Sequence, residues 1–292
     1  MKAIEVKEFK KHFGKVKAVD GISFSVDEGE IFGFLGPNGA GKTTTIRVMM
    51  DFARPSAGEI LIFGKNSIFH SVHIKEEIGH LPAELRLYDA WTGKEHIDYL
   101  ESLRSRKSKA EELTKKLDLD TSIRFHNLSS GNKQKLGLVL ALMFEPKLLI
   151  LDEPTAGLDP ILQNEVYRIL EELKNRNSTI FMSSHNLSEV DRICTKVAII
   201  KEWKLIATED IQSLKEKRMH QAIVHFAKNF ERNDFEFANV SVQEEMTDGL
   251  ILDIKGDINP LLKKLAGYEL KDVEISHATL EEIFLEFYNH KK

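Results

Sequence analysis

Ile22, Phe24 and Val26 alternate with Ser23, Ser25 and Asp27, a period-two pattern that predicts a half-buried antiparallel strand. The segment AIEVKEF ahead of it, residues 3–9, reads as a second strand. IFGFL, residues 31–35, is apolar at every position, as expected of a central strand covered on both faces. A glycine-rich loop and a helix from about Gly41 follow. Residues 85–145 have the caps and charged faces of helices, with a break near Arg124–Ser130. KLLILDE and STIFMSSH then read as buried strands and VAIIKEWKLIA as a hairpin-like pair. Strands alternating with helices predict an α/β layered core.

The character changes after Ile206. ATEDIQSLKEKRM, residues 207–219, reads as a polar linker helix. Beyond it QAIVHFA and GLILDIKGD are predicted strands, and PLLKKLAG and TLEEIFLEFY predicted helices. The last of these has a capping box, Thr279 with Glu282, and an apolar face of Leu280, Ile283, Phe284 and Phe287. The predicted organisation is therefore a domain over residues 1–217 and a small α+β domain over 218–292, with no internal repeat.

Charge follows the same division. Residues 1–217 hold 32 basic and 32 acidic side chains, whereas 218–292 hold 9 and 14, so the whole net charge of −5 sits in the second segment. Nucleic acid is not expected as a partner, because nonspecific affinity for it needs a concentrated basic surface. The densest basic run, RSRKSKAEELTKK at 104–116, reads as a solvated helix face, with a lipid-headgroup or partner contact as the alternative. The longest helix-like apolar stretch, Leu136–Phe144, has nine residues, about half of the ~20 that span a bilayer. No unaided membrane crossing is expected, and the mixed charges of MKAIEVKEFKKHFGK do not form a signal peptide. The single cysteine, Cys194, excludes an internal disulfide, fits a reducing compartment and reads as a small buried filler. The 11 histidines have no metal-ligand spacing, so no zinc site is expected.

The chemistry begins at Gly36-Pro37-Asn38-Gly39-Ala40-Gly41-Lys42-Thr43, with Thr44 next, a G-x-x-x-x-G-K-[ST] loop after a buried strand and before a helix. Glycines let backbone N–H groups wrap phosphates, and the helix N-terminus adds positive potential. Lys42 is expected to reach the β and γ phosphates and the Thr43 hydroxyl to ligate Mg²⁺. About 110 residues on, Leu148–Leu151 is an apolar run ending in Asp152 and Glu153. Asp152 is placed to hold the Mg²⁺ shell and Glu153 to orient or deprotonate the attacking water. Together the motifs predict an ATP or GTP hydrolase.

The segment Asn127–Lys135, leading into an amphipathic helix, resembles the signature sequence of the ATP-binding-cassette (ABC) transporter family. Other landmarks follow in order: Phe13 in HFGKVKAV, Gly157-Leu158-Asp159 as the D-loop, and His185 in SSHNLSEVDRI as the switch histidine. The resemblance covers roughly residues 3–206. It implies an α/β P-loop ATPase core with an antiparallel β subdomain and a helical signature subdomain at about 85–145. It also implies Phe13 stacking on adenine, His185 sensing the γ-phosphate, and Ser129, Ser130, Gly131, Asn132 and Asp159 acting across a head-to-tail dimer. LPAELRLYDAWTGKEH, LSSGNKQK and SHATLEEIFLEFY look like the bacterial exporter branch, whose ATPase subunit is separate from its membrane subunit. The implied protein is a membrane-associated cytoplasmic ATPase, peripheral on the inner face, binding ATP and Mg²⁺ as a homodimer or heterodimer on an integral-membrane permease.

Four positions depart from the family pattern. Ala83 stands at the lid glutamine; either the adjacent Glu84 substitutes as a water-bridged Mg²⁺ contact or the position contributes nothing to catalysis. Ser130 replaces the signature's first glycine and Asn132 its glutamine. Phe13 stands where tyrosine is usual, and stacking needs only the ring. Tyr88 and Trp91, in the lid segment, either face the membrane subunit or pack internally. Two readings compete with the transporter: a soluble ABC-type ATPase acting on ribosomes or nucleic acid, and a weakly hydrolysing nucleotide-dependent regulator. Single-cassette length, one cysteine and the lack of a long heptad run argue against the first.

Overall fold

The alternation over residues 3–27 folds as a long antiparallel pair, β1 (Lys2–Phe13) with β2 (Val16–Asp27). The structure is a computed structural model that describes residues 1–104, 107–216, 219–228, 230–237 and 239–277. Its chain divides into two units, Met1–Glu209 and Asp210–Lys292.

In the first unit β3 (Ile31–Leu35) leads into α1 (Lys42–Met49), and β4 (Ala57–Ile62) and β5 (Lys65–Asn66) complete an antiparallel sheet in the order β2-β1-β4-β5. After α2 (Ser71–Glu76) come β6 (Ile78–Leu81), α3 (Gly93–Ser102), α4 (Ala110–Lys116) and α5 (Ser130–Leu142). The expected break near 124–130 is a 3₁₀ turn at Phe125–Asn127 followed by extended residues. Then follow β7 (Leu148–Asp152), α6 (Pro160–Asn175), β8 (Thr179–Ser184), α7 (Leu187–Ile193), β9 (Lys196–Lys201) and β10 (Lys204–Asp210). The second sheet runs β10-β9-β3-β8-β7-β6, with β9, β3, β8, β7 and β6 parallel.

The two sheets share one core. Phe24 from β2 meets Phe32, Phe34 and Phe181 from the parallel sheet at centroid distances of 5.5, 5.3 and 6.1 Å, and Phe32 and Phe181 stack on adjacent strands at 5.9 Å. α1 contributes Ile46 and Met49 to the same cluster. On the opposite face α7 comes close enough that a Cβ at Gly33 would stand 3.0 Å from Cys194 Sγ and 3.1 Å from Val190. Cys194 is buried as expected, and burial pushes its thiol pKa well up. At the other edge a Cβ on Gly79 of β6 would meet the Ala141 carbonyl at 2.1 Å, so α5 lies directly on that strand. The basic run keeps a charged face on α4, where Lys109, Lys115 and Lys116 pair with Glu111, Glu112 and Glu172. Trp91 packs with Tyr88 at 4.6 Å, His96 at 5.3 Å and Tyr99 at 5.6 Å, while Tyr88 stays mostly exposed.

The linker helix expected at 207–219 is corrected. Residues through Asp210 continue β10, and the helix, α8 (Ile211–Glu216), begins only where the Asp210 carboxylate accepts from the Ser213 N–H at 2.9 Å. An aspartate cap starts the helix there. The second unit contains β11 (Met219–Phe226), β12 (Val240–Met246), β13 (Gly249–Lys255), α9 (Asn259–Leu265) and β14 (Leu270–His277), with strand order β12-β13-β11-β14. The expected strands at 221–227 and 249–257 are the central pair, and α9 is the expected helix. Phe226, Phe235 and Tyr268 lie in its core. The helix with the Thr279–Glu282 box lies outside the described residues.

A buried carboxylate anchors the connection from β8 to α7. Glu189 is 3 % exposed; Thr155 Oγ1 donates to its Oε1 at 2.7 Å and Ser184 Oγ to its Oε2 at 2.6 Å. Ser184 Oγ in turn accepts from the Asn186 N–H at 2.9 Å. Burial raises the Glu189 pKa above its ordinary value, and burial, then the Glu189 charge, push Tyr167 up to about 12.

Two consequences are measurable. Phe181→Ala empties the centre of the aromatic cluster and is expected to cost about 3–5 kcal/mol, read from urea unfolding; a loss below about 1 kcal/mol contradicts a shared core. Between the ordinary carboxyl value near 4.5 and the raised folded value, folded protein keeps a Glu189 proton that unfolded chain has released. Stability therefore falls as pH rises through that window and levels off above it. Glu189→Gln removes the titration, so its thermal midpoint is expected to gain on the parent's with rising pH; a difference constant with pH contradicts the assignment.

Candidate active site

The loop between β3 and α1 owes its path to two glycines. A Cβ on Gly36 would stand 2.3 Å from the Ile200 carbonyl of β9, and one on Gly41 2.5 Å from the Ala18 carbonyl of β2. Gly41 also has φ +111, in the region that favours glycine, and it caps α1. The loop is thereby pressed between both sheets, with the first N–H groups of α1 opening onto a cleft of about 350 Å³. Pro37, Asn38, Gly39, Gly41, Lys42, Thr43 and Thr44 line that cleft; Ala40 is buried behind them. Lys42 is itself buried, and its Nζ donates to the Gly36 carbonyl at 2.6 Å.

Asp152 ends β7, wholly buried between β6 and β8. Its Oδ1 accepts from Ser183 Oγ, while its Oδ2, also buried, has no hydrogen-bond partner. A buried carboxylate oxygen left without a donor fits a hard cation, and the Thr43 hydroxyl, in the cleft lining, is a further oxygen of a kind that such a cation takes. Among the described residues no three His, Cys, Asp or Glu side chains form a metal cluster. The donor set is that of an ion shared with phosphate oxygens.

Glu153 leaves the strand with φ +53, a left-handed conformation uncommon outside glycine. Ser183 holds it there, since the Glu153 N–H donates to the Ser183 carbonyl at 3.3 Å and to its Oγ at 3.1 Å. Gln134 Nε2 on α5 donates to the carbonyls of Glu153 and Pro154 at 3.1 and 2.9 Å. The Glu153 side chain then lies between two nitrogens: Lys42 Nζ is 3.3 Å from Oε1 and His185 Nδ1 donates to Oε2 at 2.8 Å. The loop carrying His185 is fixed by Ser184 and by Asn186, whose Oδ1 accepts from the Ser188 N–H at 2.9 Å. Lys42, Glu153 and His185 are thus one connected chain beside the phosphate loop. Such a carboxylate can orient and deprotonate water next to bound phosphate.

The remaining expected site residues sit elsewhere. Ser129 caps α5 by accepting from the Asn132 N–H at 3.3 Å, and Asp159 caps α6 by accepting from Ile161 and Leu162 N–H groups at 3.0 Å. A Cβ on Gly131 would stand 3.1 Å from the Gly157 carbonyl, so the signature turn and the D-loop are neighbours. Neither they nor Ser130 line this chain's own cleft. Ala83 does line it, whereas Glu84 does not: its exposed carboxylate pairs with Arg86 at 3.0 Å. Phe13, 55 % exposed, lies under the Lys11 ammonium, and its cross-strand partner Val16 lines the cleft. Ser183, Gln134, Glu189 and Trp203 were not anticipated. A glutamate beside the buried positions Val190 and Ile193 was the available signal for Glu189; Ser183, by contrast, resembles any strand-end serine.

Residues 19–156 match the profile of the ABC transporter family. A bacitracin transport ATP-binding protein from Bacillus licheniformis is 34% identical, with 97% of this chain and 96% of that protein aligned. A daunorubicin resistance ATP-binding protein from Streptomyces coeruleorubidus is 29% identical over 97% of this chain and 95% of its own. Among solved structures, an ATP-binding subunit of an ABC transporter superposes with a TM-score of 0.67 at 28% identity, covering 73% of this chain and 92% of its own. With its phosphate loop, paired carboxylates and signature turn on this fold, the chain belongs to the ABC transporter family as an ATP-binding subunit with ATPase activity.

Proposed function

We propose that this subunit powers export through a separately encoded membrane permease, by ATP-driven closure of a head-to-tail dimer at the inner face of the cell membrane. The observation that carries the catalytic part is the Glu153 carboxylate held between Lys42 Nζ at 3.3 Å and His185 Nδ1 at 2.8 Å. Loop N–H groups from Asn38 to Thr44 and the Lys42 ammonium bind the phosphates of ATP. Glu153 takes the proton of the attacking water, and His185 keeps its carboxylate turned toward the phosphate loop. With Nδ1 committed to Glu153, Nε2 is the nitrogen left to meet the γ-phosphate. Thr43 and Asp152 would hold Mg²⁺, which when bound neutralises charge on the phosphate oxygens.

The dimer reading is supported by the placement of Ser129–Asn132 and Asp159 away from this chain's own cleft, with Ser129 and Ser130 exposed at the N-terminus of a 13-residue helix. Such a terminus favours an anion, and in a head-to-tail pair it faces the partner's phosphate loop. Among the described residues no helix is long and apolar enough to cross a membrane, which agrees with a translocation path supplied by another chain. The relatives' names, bacitracin transport and daunorubicin resistance, favour export of peptide or drug-like cargo.

Steady-state hydrolysis by the full chain tests the catalytic roles. Glu153→Gln is expected to lower kcat by about 10²–10⁴-fold while ATP binding persists, and ATP is expected to convert that variant from monomer to dimer in size-exclusion chromatography. Unchanged kcat contradicts the base, and a monomer at saturating ATP contradicts the dimer. Purification from detergent-solubilised native membranes is expected to bring down a multi-helix membrane protein; recovery of the chain alone, entirely from the soluble fraction, contradicts the transporter role.

A further inference from the structure

Glu189 stands in the first turn of α7, three residues after the N-cap Asn186. A glutamate at that position ordinarily reaches back to the N-cap N–H and closes a capping box. Here that N–H is already taken, because Ser184 Oγ accepts it at 2.9 Å. The Glu189 carboxylate turns inward instead and receives the hydroxyls of Thr155 and Ser184, themselves buried. Its helix neighbours Val190 and Ile193 are buried apolar side chains. Another apolar residue would serve packing as well, and desolvating a carboxylate costs stability. Departures of this kind gather where function requires them.

The two hydroxyls belong to the two segments that build the site. Thr155 follows Glu153 by two residues and starts the turn to Gly157 and Asp159, its carbonyl accepting from the Leu158 N–H at 3.2 Å. Ser184 directly precedes His185, and its carbonyl accepts from the Gly36 N–H of the phosphate loop at 3.2 Å. The segments are therefore bridged twice. The outer bridge is His185 Nδ1 on the Glu153 carboxylate; the inner one runs from Thr155 through Glu189 to Ser184. The imidazole is 58 % exposed, so its place is set by the loop that carries it more than by packing around the ring. Neither Glu189 nor the two hydroxyls line the nucleotide cleft. Any effect of Glu189 on the chemistry passes through its neighbours.

We infer that Glu189 is a positioning residue for hydrolysis, holding Ser184 and His185 against the Glu153–Thr155 segment so that the imidazole stays on the carboxylate. This rests on the reading of Glu153 as the base and His185 as its partner, and it adds the buried group that keeps the two together. Acceptance of two hydroxyls does the holding. A side chain that keeps an acceptor oxygen therefore preserves the function, and one without an acceptor loses it.

Steady-state hydrolysis by the full chain tests this, with Glu189→Leu, Glu189→Gln and Thr155→Val each made alone and together with His185→Ala. Glu189→Leu and Thr155→Val are expected to lower kcat by about tenfold or more and to move KM for ATP by less than about twofold. Glu189→Gln is expected to keep most of the parent's kcat. On the His185→Ala background the Leu and Val substitutions are expected to change kcat by less than about twofold, since the group that they misplace is gone. Thr155→Val preserves side-chain shape and decides the matter if Glu189→Leu does not fold. Unchanged kcat in Thr155→Val, or in folded Glu189→Leu, overturns the inference, as does a Glu189→Gln variant as slow as Glu189→Leu. The same factor lost with and without His185 also overturns it, because the network would then support the fold and not the imidazole. His185→Ala alone separates the two levels. If it is slow while the other variants match the parent, only the role of Glu189 fails; if it matches the parent, the reading of His185 and the inference fall together.

Discussion

The site depends on how the chain leaves β7. Asp152 still belongs to the strand and is held by the Ser183 hydroxyl. One residue later the backbone turns left-handed at Glu153, at a cost on the order of 1–3 kcal/mol. Three hydrogen bonds hold that turn: two from its N–H to Ser183 and one from the Gln134 amide to its carbonyl. The reversal separates the duties of two adjacent carboxylates. Asp152 stays buried with one unsatisfied oxygen, and Glu153 swings between Lys42 and His185.

Each partner in that arrangement arrives from a different element, so the chemistry needs the sheet beneath it to be rigid. The four-phenylalanine cluster locks β2 onto β3 and β8, which fixes the phosphate loop at the end of one strand and Ser183 at the end of the next. Gly36 and Gly41 let β9 and β2 close on the loop from either side. α5 reaches the same point through Gln134, and its N-terminus carries the signature turn. The buried Glu189 serves the histidine loop in the same way, joining Thr155 after β7 to Ser184 at the end of β8.

Much of this was legible in the chain. Alternation at 22–27 and unbroken apolar runs at 31–35 and 148–151 identify the strands that carry the loop and the carboxylates, because burial on one face or two leaves a direct trace in residue type. The phosphate loop is legible because its glycines answer steric demands that no other residue meets. Contacts formed only by tertiary neighbours were not. Ser183 and Gln134 are ordinary residues until β8 lies beside β7 and α5 lies over its end. The extension of β10 through Asp210 was hidden by a polar sequence on an edge strand, and β12 and β14, also edges of their sheet with polar faces, were hidden likewise. Trp203 looked like part of a hairpin, and only the fold brings that turn to the cleft.

In the proposed mechanism Glu153 and His185 act together, the imidazole holding the carboxylate that takes the water's proton. A double-mutant cycle on kcat measures this directly, with Glu153→Gln, His185→Ala and the double variant compared under saturating ATP and Mg²⁺. Coupled action predicts that His185→Ala costs much less in the Glu153→Gln background than in the parent, where it also releases the carboxylate. Losses that multiply, each substitution costing the same factor whether or not the other is present, would contradict it.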